Sequence, residues 1–180
     1  MKADNIIEVR DLKVHFPITE GLLRRQVGIL PAVDGVSFDI LRGETFSLVG
    51  ESGCGKSTTA LSVLKMQPVT SGTITFNNED ITHHSASQMR PIRRKVQMVY
   101  QDPYGSLNPR MKVGSIIGEP LRVHGMAGDK ENYNARIKEL MQVVGLMTDM
   151  ADRYPHEFSG GQRQRICIAR AIALDPELII

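Results

Sequence analysis

Apolar residues recur at every second position near the amino terminus and at every third or fourth beyond about residue 101. The first spacing predicts strands. Residues 6–10 and 12–16 read as two strand segments parted by a turn at Asp11, with Leu12, Val14 and Phe16 on one side, and Pro17 ends the second. Residues 17–31 are bounded by prolines and contain two glycines, which predicts an exposed excursion between strands. Its Leu22, Leu23, Arg24 and Arg25 suit a solvated hairpin tip better than a membrane-surface contact, because two arginines are too few to hold a bilayer. Alternation resumes at Val36, Phe38 and Ile40, and Arg42-Gly43 turns the chain into 45–49, an apolar run expected to be a short buried strand. A helix is expected over 56–64, with Leu61 and Leu64 on one face. It is followed by a strand at 73–76, turn residues at 77–80, a basic helix at 87–95 and a strand at 96–100.

Strand signals then stop. Helices are predicted over 113–123 and 131–144, the second carrying Ile137, Leu140, Met141 and Val144 at i, i+3, i+4 and i+7. Met141, Met147 and Met150 are expected to fill core space. A last helix over 160–173 turns Ile166, Ala169, Ile172 and Ala173 inward. Asp175-Pro176 ends it, and residues 177–180 begin what reads as a buried parallel strand.

Composition narrows the class only modestly. The 180 residues are 41% hydrophobic and 23% charged, ordinary for a globular chain of one domain, and a net charge of +2 gives no basic stripe for nucleic acid. Two cysteines far apart, Cys54 and Cys167, do not make a disulfide framework and fit a reducing compartment. No apolar run approaches the roughly 20 residues that span a bilayer. His83-His84 sits among turn residues and is expected to be solvated rather than metal-binding.

The chemistry concentrates at Gly50-Glu51-Ser52-Gly53-Cys54-Gly55-Lys56-Ser57, which fits G-x-x-x-x-G-K-[ST] between an expected strand and an expected helix. Gly50, Gly53 and Gly55 permit backbone angles closed to other residues, so that amides of the loop through Ser52 and Cys54 turn inward around phosphate oxygens. The helix start at Lys56, Ser57 and Thr58 adds its positive end. Lys56 supplies a mobile charge to the terminal phosphates, and the Ser57 hydroxyl a ligand for Mg²⁺. A second stretch, Ser159-Gly160-Gly161-Gln162, opens a helix with free amides and a hydroxyl. By itself it reads as an ordinary N-cap, or as a second anion-binding surface.

Taken together, the two stretches resemble the ATP-binding-cassette ATPases. Ser159 to Gln162 is similar to that family's signature motif, with Phe158 where leucine is usual, and Gln101 to its glutamine-loop residue. Phe16 falls where the family carries an aromatic residue stacked on adenine; a core phenylalanine is the other reading. The segment Gln101-Asp102-Pro103-Tyr104-Gly105-Ser106-Leu107-Asn108-Pro109-Arg110-Met111, with Gly118-Glu119-Pro120-Leu121, looks like the ATPase subunits of bacterial dipeptide and oligopeptide importers, a pattern shared with nickel and glutathione importers.

The resemblance implies an α/β fold: a P-loop NTPase core with a mixed or parallel sheet, flanking helices and an antiparallel β subdomain, plus a helical insertion. Residues 1–100 are expected to form the core, 101–160 the helical subdomain, and 161–180 the signature helix and the start of the next core strand. It further implies ATP and Mg²⁺ as cofactors, with Lys56 and Gln101 in catalysis and Ser57 and Gln101 at the metal. Expected partners are a second cassette, identical or related, that faces Ser159, Gly160, Gly161 and Gln162, a membrane permease, and indirectly a substrate-binding protein. The place of work is the cytoplasmic face of the inner membrane. The family's aspartate and glutamate after strand 177–180, and its later histidine, have no counterpart here, since His156 precedes the signature motif. Residues 1–180 are therefore expected to lack the C-terminal part of the core, to bind nucleotide while hydrolysing little, and to be poorly stable. A nucleotide-binding cassette without turnover and a soluble cassette outside transport are the alternative readings.

Overall fold

The computed structural model describes residues 4–21 and 25–180, so Leu22, Leu23 and Arg24 of the expected hairpin tip lie outside the described residues. The chain divides into two compact units, Met1–Arg90 and Pro91–Ile180.

The first unit is built on a four-stranded antiparallel sheet. Strands β1 (Asn5–Glu20), β2 (Arg25–Leu41), β3 (Ser71–Phe76) and β4 (Glu79–Asp80) lie in the order β2-β1-β3-β4. Asp11 does not end a strand as the sequence suggested: β1 runs through it as a bulge, with Asp11 at φ 45° and register shifts between Val9 and Leu12. The extra residue changes the phase of the alternation, which is why Ile7 and Val9 before it and Leu12 and Val14 after it are all buried. Pro17 does not stop the strand either, and pairs with Ile29. Beyond Lys13 no β3 residue pairs with β1, so Pro17 sits on an edge where its missing N–H costs nothing. Residues 17–20 and 25–31 thus continue the sheet as the paired ends of β1 and β2, largely exposed. At the other end, Asn77 and Asn78 at φ 49° and 64° make the tight turn joining β3 to β4.

Helix α1 (Lys56–Val63) buries Thr59, Ser62 and Val63, and Leu64 just beyond it, while Leu61 is half-buried. The strand expected over 45–49 does not form. Residues 44–50 carry no regular structure, and Val49 is 86% exposed. An apolar run becomes a buried parallel strand only between two hydrogen-bonded neighbours, and none of the described strands pairs with this segment. Phe46 instead stacks on Phe38 of β2, with ring centroids 5.0 Å apart.

The basic helix α2 (Ala86–Lys95) leads into the second unit. There β5 (Val96–Gln97) and β6 (Leu178–Ile179) pair in parallel, extended by Val99 N–H to Ile180 O at 2.8 Å. The parallel strand expected over 177–180 is present at Leu178–Ile179, but Ile179 is exposed rather than buried.

The rest of the unit is helical: α3 (Pro103–Ser106), α4 (Val113–Ile117), α5 (Glu119–Val123), α6 (Lys130–Val143) and α7 (Gly160–Ile172), with 3-10 turns at Thr148–Asp152 and Pro155–Glu157. The core gathers Val113, Ile116 and Ile117, Ile137, Leu140 and Met141 of α6, and Ile166, Cys167 and Ala169 of α7. Met141 is core as expected and Met150 packs at its edge. Met147 is a correction, because it is exposed.

One buried group in this core is unsatisfied. Among the described residues the Tyr133 hydroxyl has no hydrogen-bond partner, and burial pushes its pKa up. It lies where a side chain at Gly118 would stand, 2.1 Å from an ideal Cβ. Tyr133→Phe is expected to stabilise the protein by about 1 kcal/mol, because an orphaned donor is removed and nothing is lost. A thermal melt showing destabilisation would reveal a partner for that hydroxyl.

Candidate phosphate-binding site

The loop of residues 50–55 owes its shape to its glycines. Gly53 and Gly55 stand at φ 84° and 92°, in the left-handed region. At Gly55 a Cβ would lie 2.3 Å from the Ala32 carbonyl oxygen, so both angle and space exclude a side chain there. A Cβ at Gly50 would meet Cys54 Sγ at 2.6 Å. Cys54 N–H donates to Glu51 O at 3.3 Å, closing the turn.

Helix α1 begins at the next residue. Its N-cap is Gly55, which offers no side-chain acceptor, and its first turn contains no acidic residue. The positive end of the helix therefore stays uncompensated by any side chain of its own. The Lys56 ammonium curls back over the loop, donating to Gly50 O at 2.8 Å and Glu51 O at 2.6 Å, with Cys54 Sγ at 3.5 Å. Ser52 and Ser57 are exposed. Thr58 is half-buried, and its carbonyl accepts from Ser62 Oγ at 2.8 Å. A cation, an uncapped helix start and a glycine-shaped turn converge at one exposed spot, a donor set that fits a phosphate chain. Ser57, the residue after Lys56, is exposed at the same helix start.

Phe16 lies in the same unit, half-buried on β1 opposite Leu30, so it is not a core side chain. Cys54 is exposed and Cys167 buried, both as free thiols. The imidazole of His84 is not simply solvated: it lies 2.9 Å from Glu79 Oε1, with its side chain largely covered. No group of three metal-ligating side chains occurs among the described residues.

The second unit carries the other predicted residues. Gln101 is exposed just before Asp102, whose carboxylate caps α3 by accepting from Tyr104 N–H at 2.8 Å and Gly105 N–H at 3.1 Å. Ser159 caps α7 in a reciprocal box: Gln162 N–H donates to Ser159 Oγ at 3.3 Å and Ser159 N–H to Gln162 Oε1 at 2.9 Å. Gly160 and Gly161 follow with nothing within 4 Å of where a Cβ would be. Packing does not demand glycine at either position. Sequence reasoning missed Arg163, which is buried. Its signal was present, since 163, 166, 167 and 170 share one helical face with apolar residues at its centre.

The glycine-shaped loop with its lysine, running into a helix, together with a capped glycine pair opening a second helix, defines a nucleotide-binding cassette. The chain belongs to the ABC transporter family, whose pattern matches residues 33–180. Over 98% of its length it is 52% identical to the oligopeptide transport ATP-binding protein AppF of Bacillus subtilis (strain 168), covering 54% of that protein. Over its whole length it is 49% identical to the glutathione import ATP-binding protein GsiA of Salmonella paratyphi A, covering 29%. The chain spans about half the length of the Bacillus relatives it matches. Among solved structures, the dimeric post-hydrolysis state of the ATP-binding cassette MJ0796, bound to ADP and Pi, superposes with a TM-score of 0.84 at 27% identity, over 96% of this chain and 72% of that one. No helix among the described residues is long and apolar enough to cross a membrane.

Proposed function

We propose that this chain is the ATP-binding part of a peptide importer, working at the cytoplasmic face of the inner membrane. The observation that carries the reading is the Lys56 ammonium, held over the loop by two carbonyls that a phosphate oxygen replaces as its partner. In this proposal the amides of Gly50, Ser52, Gly53, Cys54 and Gly55 line the phosphates, Lys56 neutralises their far end, Ser57 holds Mg²⁺, and Phe16 covers the adenine, while Gln101 keeps the glutamine-loop role that the family resemblance implies. Phosphoryl transfer asks mainly for positioning and charge stabilisation, and Lys56 is the residue of the loop that supplies charge.

Ser159, Gly160, Gly161 and Gln162 serve a nucleotide held by a second cassette, identical or related. The open space at Gly160 and Gly161 supports this, because exposed helical glycines with no packing role lower stability unless a bare backbone is needed. Residues 1–100 then act as the nucleotide-binding core and 101–160 as the helical subdomain that passes closure to a permease, which a substrate-binding protein supplies. The names of the AppF and GsiA relatives support import of peptides over a role outside transport.

Cys54 gives a direct test. Its exposed thiol lies beside the Lys56 ammonium, so MgATP is expected to slow its alkylation about tenfold, with buried Cys167 as the internal reference. Equal labelling with and without MgATP would overturn the proposal.

A further inference from the structure

Arg163 is only 8% exposed, yet among the described residues no carboxylate pairs with it. Its Nε donates to Pro155 O at 2.7 Å and its Nη2 to His156 O at 3.3 Å. The guanidinium lies 4.0 Å from the centroid of the Tyr104 ring, which is itself 66% exposed. A buried cation held only by carbonyl dipoles and a ring face is less favourable than a methionine of similar volume on this apolar stripe. Its retention points to a task other than stability.

Its contacts lead to the start of α7. Pro155 and His156 sit four and three residues before Ser159, so Arg163 fixes from inside the turn by which the chain enters the α7 start. On the same stripe, Cys167 Sγ lies 3.2 Å from Ser106 Oγ, and Arg170 Nη1 donates to Ser106 O at 2.7 Å. Three side chains of α7 thus strap down α3, the segment that follows Gln101. We propose that Arg163 is a positioning residue that joins the Ser159 turn to the Gln101 segment through Tyr104, so that a nucleotide-driven movement of one carries the other. This deepens the proposed function and rests on it.

The test uses the full chain, with binding of a fluorescent ATP analogue and ATP-driven pairing measured separately, the latter by sedimentation velocity. Arg163→Met is expected to keep analogue binding within about twofold and the melting temperature at or above that of the parent, while pairing weakens at least tenfold. Tyr104→Leu is expected to weaken pairing similarly, and Tyr104→Phe, which keeps the ring, to pair like the parent. A merely structural Arg163 would instead lower the melting temperature and leave pairing intact below it. If Arg163→Met fails to fold, exposed Tyr104 decides. Pairing retained in Tyr104→Leu overturns the inference, and pairing lost at a native melting temperature upholds it. A parent chain that binds no analogue, or does not pair in ATP, refutes the reading under Proposed function instead.

Discussion

Replacing Lys56 by alanine is expected to weaken binding of a fluorescent ATP analogue about a hundredfold, the cost of removing a charge-assisted hydrogen bond to a phosphate. The fold should not notice. Among the described residues the ammonium is bonded to Gly50 O, Glu51 O and Cys54 Sγ of its own exposed loop, so circular dichroism and melting temperature should match the parent. In cells that depend on this protein for peptide uptake, the same substitution is expected to abolish growth on peptides as sole amino-acid source. Wild-type affinity in the variant would show that the lysine faces no phosphate. Lost affinity with normal growth would leave nucleotide binding standing and remove the importer reading.

The second large effect concerns stability and sits at Gly72, far from any proposed chemistry. Gly72 stands at φ +95°, and a Cβ there would lie 2.4 Å from Asp11 O and 2.7 Å from Arg10 O. These are backbone atoms of the β1 bulge, between the pairs Arg10 with Thr73 and Lys13 with Ser71, so they cannot swing aside as a side-chain tip does. Gly72→Ala is expected to cost about 3 kcal/mol or more in a urea melt, the sum of left-handed strain and overpacking. Gly43→Ala separates the two contributions. It shares a positive φ of 72° but meets nothing within 4 Å, so about 1 kcal/mol is expected. Equal losses at the two glycines would mean that the bulge yields.

Much of this structure was readable from residue spacing, and the failures share a cause. Helices α6 and α7 followed from a 3.6 period because an amphipathic helix satisfies its own backbone and needs only one face covered. The Ser159 box was legible as Ser-x-x-Gln for the same reason: its hydrogen bonds are local. The segment 45–49 was misread because a strand's hydrogen bonds belong to its neighbours, and an apolar run does not say whether neighbours arrive. Asp11 was read as a turn because a bulge and a turn use the same residue types, and only the pairing of β3 distinguishes them. Arg163 escaped because a charge on an apolar face reads as an exception until its carbonyl partners, seven and eight residues away, are seen. The loop of residues 50–57 was legible as chemistry because its glycines are demanded by backbone angle and close approach, constraints that the letters carry directly.

Gly160 and Gly161 set a trap for anyone engineering this protein. Alanine fits the empty space beside both and favours a helix over glycine by up to about 1 kcal/mol each. A directed-evolution campaign rewarded only for heat tolerance would therefore drift toward alanine at these two sites, yielding hardier molecules that, under the proposed function, have traded away the bare surface offered to a neighbour's nucleotide.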